Sequence, residues 1–165
     1  MRKIRLICGL IFVAVLIVLA LVIPRQHFYL SVQDDKVYYG MDVSEIRDIK
    51  GIPNEISNSL PGEPVYYRYL ETIENAPAEV SYKFMDAKLM GADYAINFES
   101  KEDALSAFNK IKSQLTEAYS KKKPFSILEL DDSSVDESFQ ITSSKYNCKI
   151  TVKDALVTVS CNKSE

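Results

Sequence analysis

The sequence predicts an α+β protein in which an N-terminal transmembrane helix precedes an antiparallel sheet packed with one short and one long helix. Three observations predict this fold. Residues 6–23 form an uncharged apolar run, runs rich in tyrosine and β-branched residues alternate in polarity, and two other segments carry apolar residues at helical spacing. We therefore expect a cytoplasmic tip with a membrane helix (1–23), a stalk (24–36) and one domain (37–165).

The apolar run has the length and composition of a membrane span. Residues 6–23 include 14 Leu, Ile, Val or Phe side chains, and a helix of this length reaches roughly 27 Å, close to the thickness of a bilayer core. Three basic residues precede the run, whereas only Arg25 follows it closely. The positive-inside rule thus predicts a single-pass protein of the cell membrane with a cytoplasmic N-terminus and an extracytoplasmic domain. A secretory signal cleaved near Ala20 is the alternative.

The rest of the chain is acidic and poor in the residues that catalysis uses. From residue 24 onward, 17 Lys/Arg and 23 Asp/Glu give a net charge of −6, which argues against nucleic-acid binding. The lysines at 121–123 are interpreted as a solvated helix end, with lipid headgroup contact as the alternative. His27 is the only histidine, and the acidic stretch 131–137 lacks the spacing of a calcium loop. We predict no catalytic residue, cofactor or metal site.

A short helix is the first element predicted in the domain. Asp42 and Glu45 have the spacing of a capping box, and apolar residues recur at helical spacing through 43–49. Gly51 and Pro53 are residues that end helices. The apolar side of this helix is expected to pack on a sheet.

Three runs with strand alternation predict an antiparallel meander, at 65–73, 80–85 and 89–98. Segment 74–77 is expected to separate the first two strands. Alternation assigns Met90, with the even-numbered residues after it, to the core. Tyr66 and Arg68 point away from the core and form a possible binding surface, with simple cross-strand packing as the alternative.

A long amphipathic helix follows the meander. Ser100 is a typical N-cap, and apolar residues at helical spacing continue to about Ser120. Two further strands are predicted beyond it, at 125–130 and 139–146. The predicted sheet therefore continues on the far side of the long helix.

The last two strands are predicted as a hairpin with a turn at Asp154 and Ala155. With this turn Cys148 lies directly opposite Cys161 at a non-hydrogen-bonded position, where the strands approach most closely. A disulfide between them would stabilise the domain by about 3 kcal/mol in the chain-entropy model. Two buried free thiols are the alternative.

The sequence also resembles a known type of module. The motif Gly-Met-Asp-x-x-Glu-Ile at 40–46, the motif Ile-x-Gly-x-Pro at 49–53 and the tyrosine-rich strands after them are similar to the helix-plus-sheet modules of SmpA/OmlA outer-membrane assembly lipoproteins and β-lactamase inhibitory proteins. A second helix and the two Asp-Ala turns, at 86–87 and 154–155, suggest a degenerate tandem of helix-plus-meander units. The resemblance implies a non-catalytic surface that binds protein or envelope material, although this chain lacks the lipoprotein cysteine.

These observations predict a membrane-anchored extracytoplasmic binding module, such as an envelope adaptor, assembly factor or inhibitor. It is expected to have a protein or cell-envelope partner and to bind no nucleic acid. One alternative is an envelope hydrolase that uses paired carboxylates. Another is a structural subunit of a membrane complex that acts through its membrane helix.

Overall fold

The computed structural model describes Val32 and residues 36–57, 60–120, 125–129 and 134–163. The predicted membrane helix at 6–23 lies outside these residues. Within them, neither helix has the length and apolar character needed to cross a membrane.

An eight-stranded antiparallel sheet and two helices form the described fold, so the predicted α+β class with a short and a long helix is confirmed. The helices are α1 (Val43–Lys50) and α2 (Lys101–Ser120). The strands are β1 (Glu55–Ile56), β2 (Val65–Ile73), β3 (Ala76–Met85), β4 (Lys88–Asn97), β5 (Phe125–Glu129), β6 (Glu137–Ser143), β7 (Tyr146–Lys153) and β8 (Leu156–Lys163).

The strand order divides the sheet into two halves. Along the chain, each helix is followed by four strands. In the sheet, the strands have the order β1-β2-β3-β4-β8-β7-β6-β5. The last strand of each group, β4 or β8, lies at the centre of the sheet, and these two strands pair with each other. We call α1 with β1–β4 the first half and α2 with β5–β8 the second half.

Helix α1 begins and ends at the residues that the capping pattern predicts. A carboxylate oxygen of Glu45 accepts a hydrogen bond from the backbone N–H of Asp42 at 2.8 Å. Gly51, with φ +82°, donates its N–H to the carbonyl of Arg47 at 2.8 Å, a conformation that glycine adopts without a Cβ clash. Ile46 is fully buried and attaches this short helix to the sheet.

Helix α2 is capped by Ser100 and packs along its apolar side. The Ser100 hydroxyl accepts a hydrogen bond from the N–H of Asp103 at 3.1 Å, which satisfies a donor of the first helical turn. The buried residues of α2 are Ala104, Ala107, Phe108, Ile111, Leu115 and Tyr119. Their spacing of three and four residues forms one stripe that faces β6, β7 and β8.

The turn between β2 and β3 is shorter than predicted. Only Glu74 and Asn75 lie outside the strands, both with positive φ, as in the tight turns that match strand twist. Pro77 therefore lies within β3, opposite Thr72. It is tolerated because the pairing of β3 with β4 begins only at Ala78, so that no partner strand requires an N–H from the proline.

A β-bulge changes which residues of β4 face the core. Lys83 pairs with Gly91 and Phe84 with Leu89, which leaves Met90 without a partner on β3. Leu89 is fully buried, whereas Met90 is only half-buried. The assignment of Met90 to the core is therefore wrong, because the extra residue of the bulge reverses the alternation before Gly91.

The predicted strand at 139–146 is two strands. β6 ends at Ser143 and β7 begins at Tyr146. The Ser143 hydroxyl accepts a hydrogen bond from the N–H of Tyr146 at 3.1 Å, so this side chain stabilises a tight turn where the sequence lacks glycine.

The last hairpin has the predicted register. Val152 lies opposite Val157, and Cys148 lies opposite Cys161. The two cysteines are joined by a disulfide, with their Cα atoms 4.1 Å apart, as expected for a non-hydrogen-bonded pair. Both cysteines are buried on the side of the sheet that faces the helices.

A single hydrophobic core joins both helices to one face of the sheet. Val32 is 2% exposed and Val37 is 1% exposed, so the core also takes residues from the chain before α1. Val32 belongs to the range predicted as a stalk. The packed domain thus includes at least this residue of that range.

Candidate functional site

The helices cover one face of the sheet and leave the opposite face open. In β3, the even-numbered residues from Ala76 to Phe84 are buried, while the odd-numbered residues from Pro77 to Met85 are half-buried or exposed. We call the uncovered side the open face. Its main residues are Tyr66, Arg68, Leu70, Glu79, Ser81, Lys83, Asp93, Ala95, Gln140, Thr142, Asn147, Lys149, Thr151, Thr158, Ser160 and Asn162.

The structure places both predicted binding residues, Tyr66 and Arg68, on the open face near the β1 edge. Arg68 lies between two carboxylates, with Nη1 2.8 Å from Glu55 Oε2 and Nε 3.1 Å from Glu79 Oε1. These side chains are about half exposed, where ion pairs contribute little stability. The network instead holds the guanidinium in one position and balances its charge.

Tyr66 is held through its backbone. Its N–H donates to the Ser57 hydroxyl at 2.9 Å, and its carbonyl accepts from the Ser57 N–H at 3.0 Å. The tyrosine side chain is half-buried on the open face. Leu70, two positions beyond Arg68 on the same strand, is 67% exposed. An aromatic, a cationic and an aliphatic side chain therefore follow one another along β2.

Polar side chains connect the two halves of the sheet at its centre. The Ser160 hydroxyl on β8 donates to Asp93 on β4, and the Asn162 side-chain amide donates to Ser160 at 3.0 Å. Asn162 lies over Gly91, where an added Cβ would come within 2.8 Å of the Cys161 carbonyl. The glycine therefore allows the β4–β8 pair to carry this polar group without a clash.

In the second half, the open face carries mostly uncharged polar side chains. The Gln140 amide donates to the Asn147 side chain at 3.0 Å, and the hydroxyls of Thr151 and Thr158 share a hydrogen bond. We did not predict a surface here from the sequence. The signal was present, since Thr, Ser, Asn and Gln alternate with buried apolar residues between residues 138 and 162.

A cleft of about 450 Å³ lies on the helix side, between the β2–β3 turn and α2. Its lining includes Glu74, Phe98, Asp103 and Lys110. Glu74 forms an ion pair with Lys110, and Asp103 accepts a hydrogen bond from the Ser100 hydroxyl at 2.7 Å. These two carboxylates are thus engaged in contacts within the protein. In the described part of the chain no group of three or more metal-ligating side chains occurs.

Three tyrosines lie close together where the chain before α1 meets the start of β7 and the end of α2. The rings of Tyr39 and Tyr146 stack with centroids 4.3 Å apart. Burial raises the pKa of Tyr39, and to a smaller extent the pKa of Tyr119, far above the usual value for a phenol. Both hydroxyls therefore stay protonated at neutral pH, so they fit a packing role better than general acid–base chemistry.

Comparison with protein-family models, with curated proteins and with solved structures finds no match to this chain.

Proposed function

We propose that this protein is a single-pass membrane protein whose domain lies outside the cytoplasm and binds a protein or cell-envelope partner without catalysis. It would act as an envelope adaptor, assembly factor or inhibitor. One observation carries the proposal of binding. Both helices of the described residues contribute to the core on one side of the sheet, and neither of them covers the open face, which extends across the paired strands.

The composition and order of the open face support this proposal. Tyrosine and arginine are the side chains that most often dominate binding energy at protein interfaces, and Tyr66 and Arg68 lie here beside the exposed Leu70. Many polar side chains on this face already bond to one another. A surface whose side chains are held before binding loses less conformational entropy when a partner docks.

The architecture supports the same class of function. The order of one helix and four strands occurs twice, as a degenerate tandem of helix-plus-meander units would give. The resemblance at 40–53 to SmpA/OmlA and β-lactamase inhibitory protein modules implies a non-catalytic binding surface. The apolar run at 6–23 would hold that surface at the outer side of the membrane.

A protease-protection assay tests the location. Spheroplasts that carry the full chain with a C-terminal tag are treated with protease from outside. We expect loss of the tag while the N-terminal part stays with the membrane. A tag that is digested only after the membrane is permeabilised would place the domain in the cytoplasm and overturn this part of the proposal.

Co-purification tests the binding. Native membranes are treated with a chemical cross-linker, and the full chain is purified as wild type, as Arg68→Glu or as Arg47→Glu. Arg47 is exposed on α1, away from the open face, so it is a matched control for charge reversal. We expect a partner with wild type and Arg47→Glu, and at least tenfold less of it with Arg68→Glu. Equal recovery with both variants would contradict the proposed surface.

A further inference from the structure

The two edges of the sheet differ in how they meet solvent. The β1 edge is blocked, because β1 has only two residues and side chains occupy the neighbouring amides of β2. Asn54 Oδ1 accepts from the N–H of Leu70 at 2.9 Å, and the Ser57 hydroxyl accepts from the N–H of Tyr66 at 2.9 Å. Short edge strands and occupied amides are typical protections against pairing with another sheet.

Among the described residues, the β5 edge has no comparable protection. β5 has five residues, and its partner within the described ranges is β6 alone. Its sequence, Phe-Ser-Ile-Leu-Glu, contains no proline or lysine. Ile127 is 45% exposed and Leu128 is 55% exposed, on opposite faces of the strand. An edge of this kind is suited to accept another strand.

The register shows which backbone groups of β5 are available. The two-residue turn at 154–155 makes Lys153 and Leu156 a hydrogen-bonded pair, and hydrogen-bonded and non-hydrogen-bonded pairs alternate from there. The same alternation can be followed from β7 through β6 to β5. It places the backbone N–H and C=O groups of Ser126 and Leu128 on the side of β5 that faces β6. The N–H and C=O groups that point to the outer edge are those of Phe125, Ile127 and Glu129.

We propose that β5 pairs with β5 of a second copy of this chain, antiparallel and centred on Ile127. In this register Ile127 lies opposite its own counterpart, and Phe125 lies opposite Glu129 of the second copy. All three outward-pointing residues then take part, which gives about six main-chain hydrogen bonds across a two-fold axis. The two exposed aliphatic side chains of each copy are covered at the same time.

The charges that flank β5 in the sequence favour pairing with a second copy of this chain over pairing with an unrelated strand. They also favour an antiparallel arrangement over a parallel one. By sequence, lysines at 121–123 precede the strand, and Asp131 and Asp132 follow it. Antiparallel pairing brings the basic end of one copy to the acidic end of the other at both ends of the interface. Parallel pairing would bring like charges together. The segment is thus complementary to itself in one orientation only.

Directed cross-linking of the full chain tests the register. In a Cys8→Ala background, Ile127→Cys and Ser126→Cys variants are purified in mild detergent and oxidised. Hydrogen-bonded partners have Cα atoms about 5.5 Å apart, within disulfide range. Residue 126 of one copy lies opposite residue 128 of the other. The Cα atoms of the two copies of residue 126 are therefore more than about 7 Å apart, which is beyond disulfide range. We expect a covalent dimer from Ile127→Cys and at least tenfold less from Ser126→Cys.

A charge substitution tests whether this edge holds the dimer. Ile127→Lys places two cations at the axis, so light scattering of the full chain should show one protein copy instead of two. Ile52→Lys, at an aliphatic residue that is 83% exposed elsewhere, should leave two copies. No preferential cross-link at 127 overturns the proposal, and so does a dimer that Ile127→Lys leaves intact. The cross-link remains a valid test if Ile127→Lys fails to fold.

Discussion

The two faces of the sheet are built from the same strands but differ in what their side chains contact. On the covered face of β3, Val80 is fully buried and Phe84 is 2% exposed. On the open face of the same strand, Glu79, Ser81 and Lys83 are half-buried and polar. The comparison shows how one alternating pattern can assign packing to one face of a sheet and an exposed polar surface to the other. Stability is expected to depend on the covered face, which leaves the open face free to bind.

The largest effect is expected at the centre of the covered face. Phe108 of α2 is 1% exposed, so Phe108→Ala removes buried contacts and leaves a cavity. We expect the free energy of unfolding to fall by about 3–5 kcal/mol. Gln114→Ala, at an exposed position of the same helix, should change it by less than about 0.5 kcal/mol. Urea unfolding of the full chain in detergent, followed by tyrosine fluorescence, measures both; similar values would contradict the assignment of the core.

The disulfide is expected to have the next largest effect. Replacement of Cys148 and Cys161 by alanine opens a loop with a sequence separation of 13, which should cost about 3 kcal/mol in the chain-entropy model. The measurement is again urea unfolding, with reductant added to wild type as the matched control. Mass spectrometry after alkylation without reductant should find neither cysteine modified. Two modified thiols in the native protein would show that no bridge forms.

A smaller, pH-dependent effect is expected where α2 joins the β7–β8 turn. Hydrogen bonds from Lys101 and from the backbone N–H of Asp154 lower the pKa of Asp136 below its usual 3.8. The stabilising contribution of a carboxylate with a lowered pKa is present above the unfolded pKa and is lost as the pH falls through the folded pKa. Asp136→Asn should therefore lower the thermal midpoint at pH 7. The difference from wild type should shrink below about pH 4. An unchanged difference at pH 2.5 would contradict this account.

The smallest effect on stability is expected on the open face. The ion pairs of Arg68 with Glu55 and Glu79 are about half exposed, so Arg68→Ala should change the free energy of unfolding by less than about 0.5–1 kcal/mol. The same substitution should reduce recovery of the cross-linked partner. Urea unfolding and co-purification of one preparation measure both quantities. A loss of stability comparable to that of Phe108→Ala would contradict the separation of tasks.

Much of the covered face could be predicted because its signals are local. The capping residues Asp42 and Ser100 mark the starts of both helices, and the turn at 154–155 sets the register that places Cys148 opposite Cys161. Where prediction failed, the cause was a structural feature without a residue signature. The bulge at Met90 reverses the alternation, and the turn after Ser143 lacks the glycine or proline that usually marks one.

The open face was harder to predict because its members come from distant parts of the sequence. Tyr66 and Arg68 stood out on one strand, but the contact between Asp93 and Ser160 depends on the pairing of β4 with β8. That pairing joins the two halves of the chain. Neither periodicity nor capping contains information about it, so the continuity of the surface became visible only in the assembled sheet.

The most direct test of the separation between the faces is photo-cross-linking from two matched positions of the full chain in its native membrane. A photoreactive phenylalanine analogue replaces Ser81 on the open face in one variant and Gln114 on the outer side of α2 in the other. We predict an adduct with a partner from position 81 and none from position 114. Adducts from position 114 alone, or equally from both, would contradict the assignment of the open face as the binding surface.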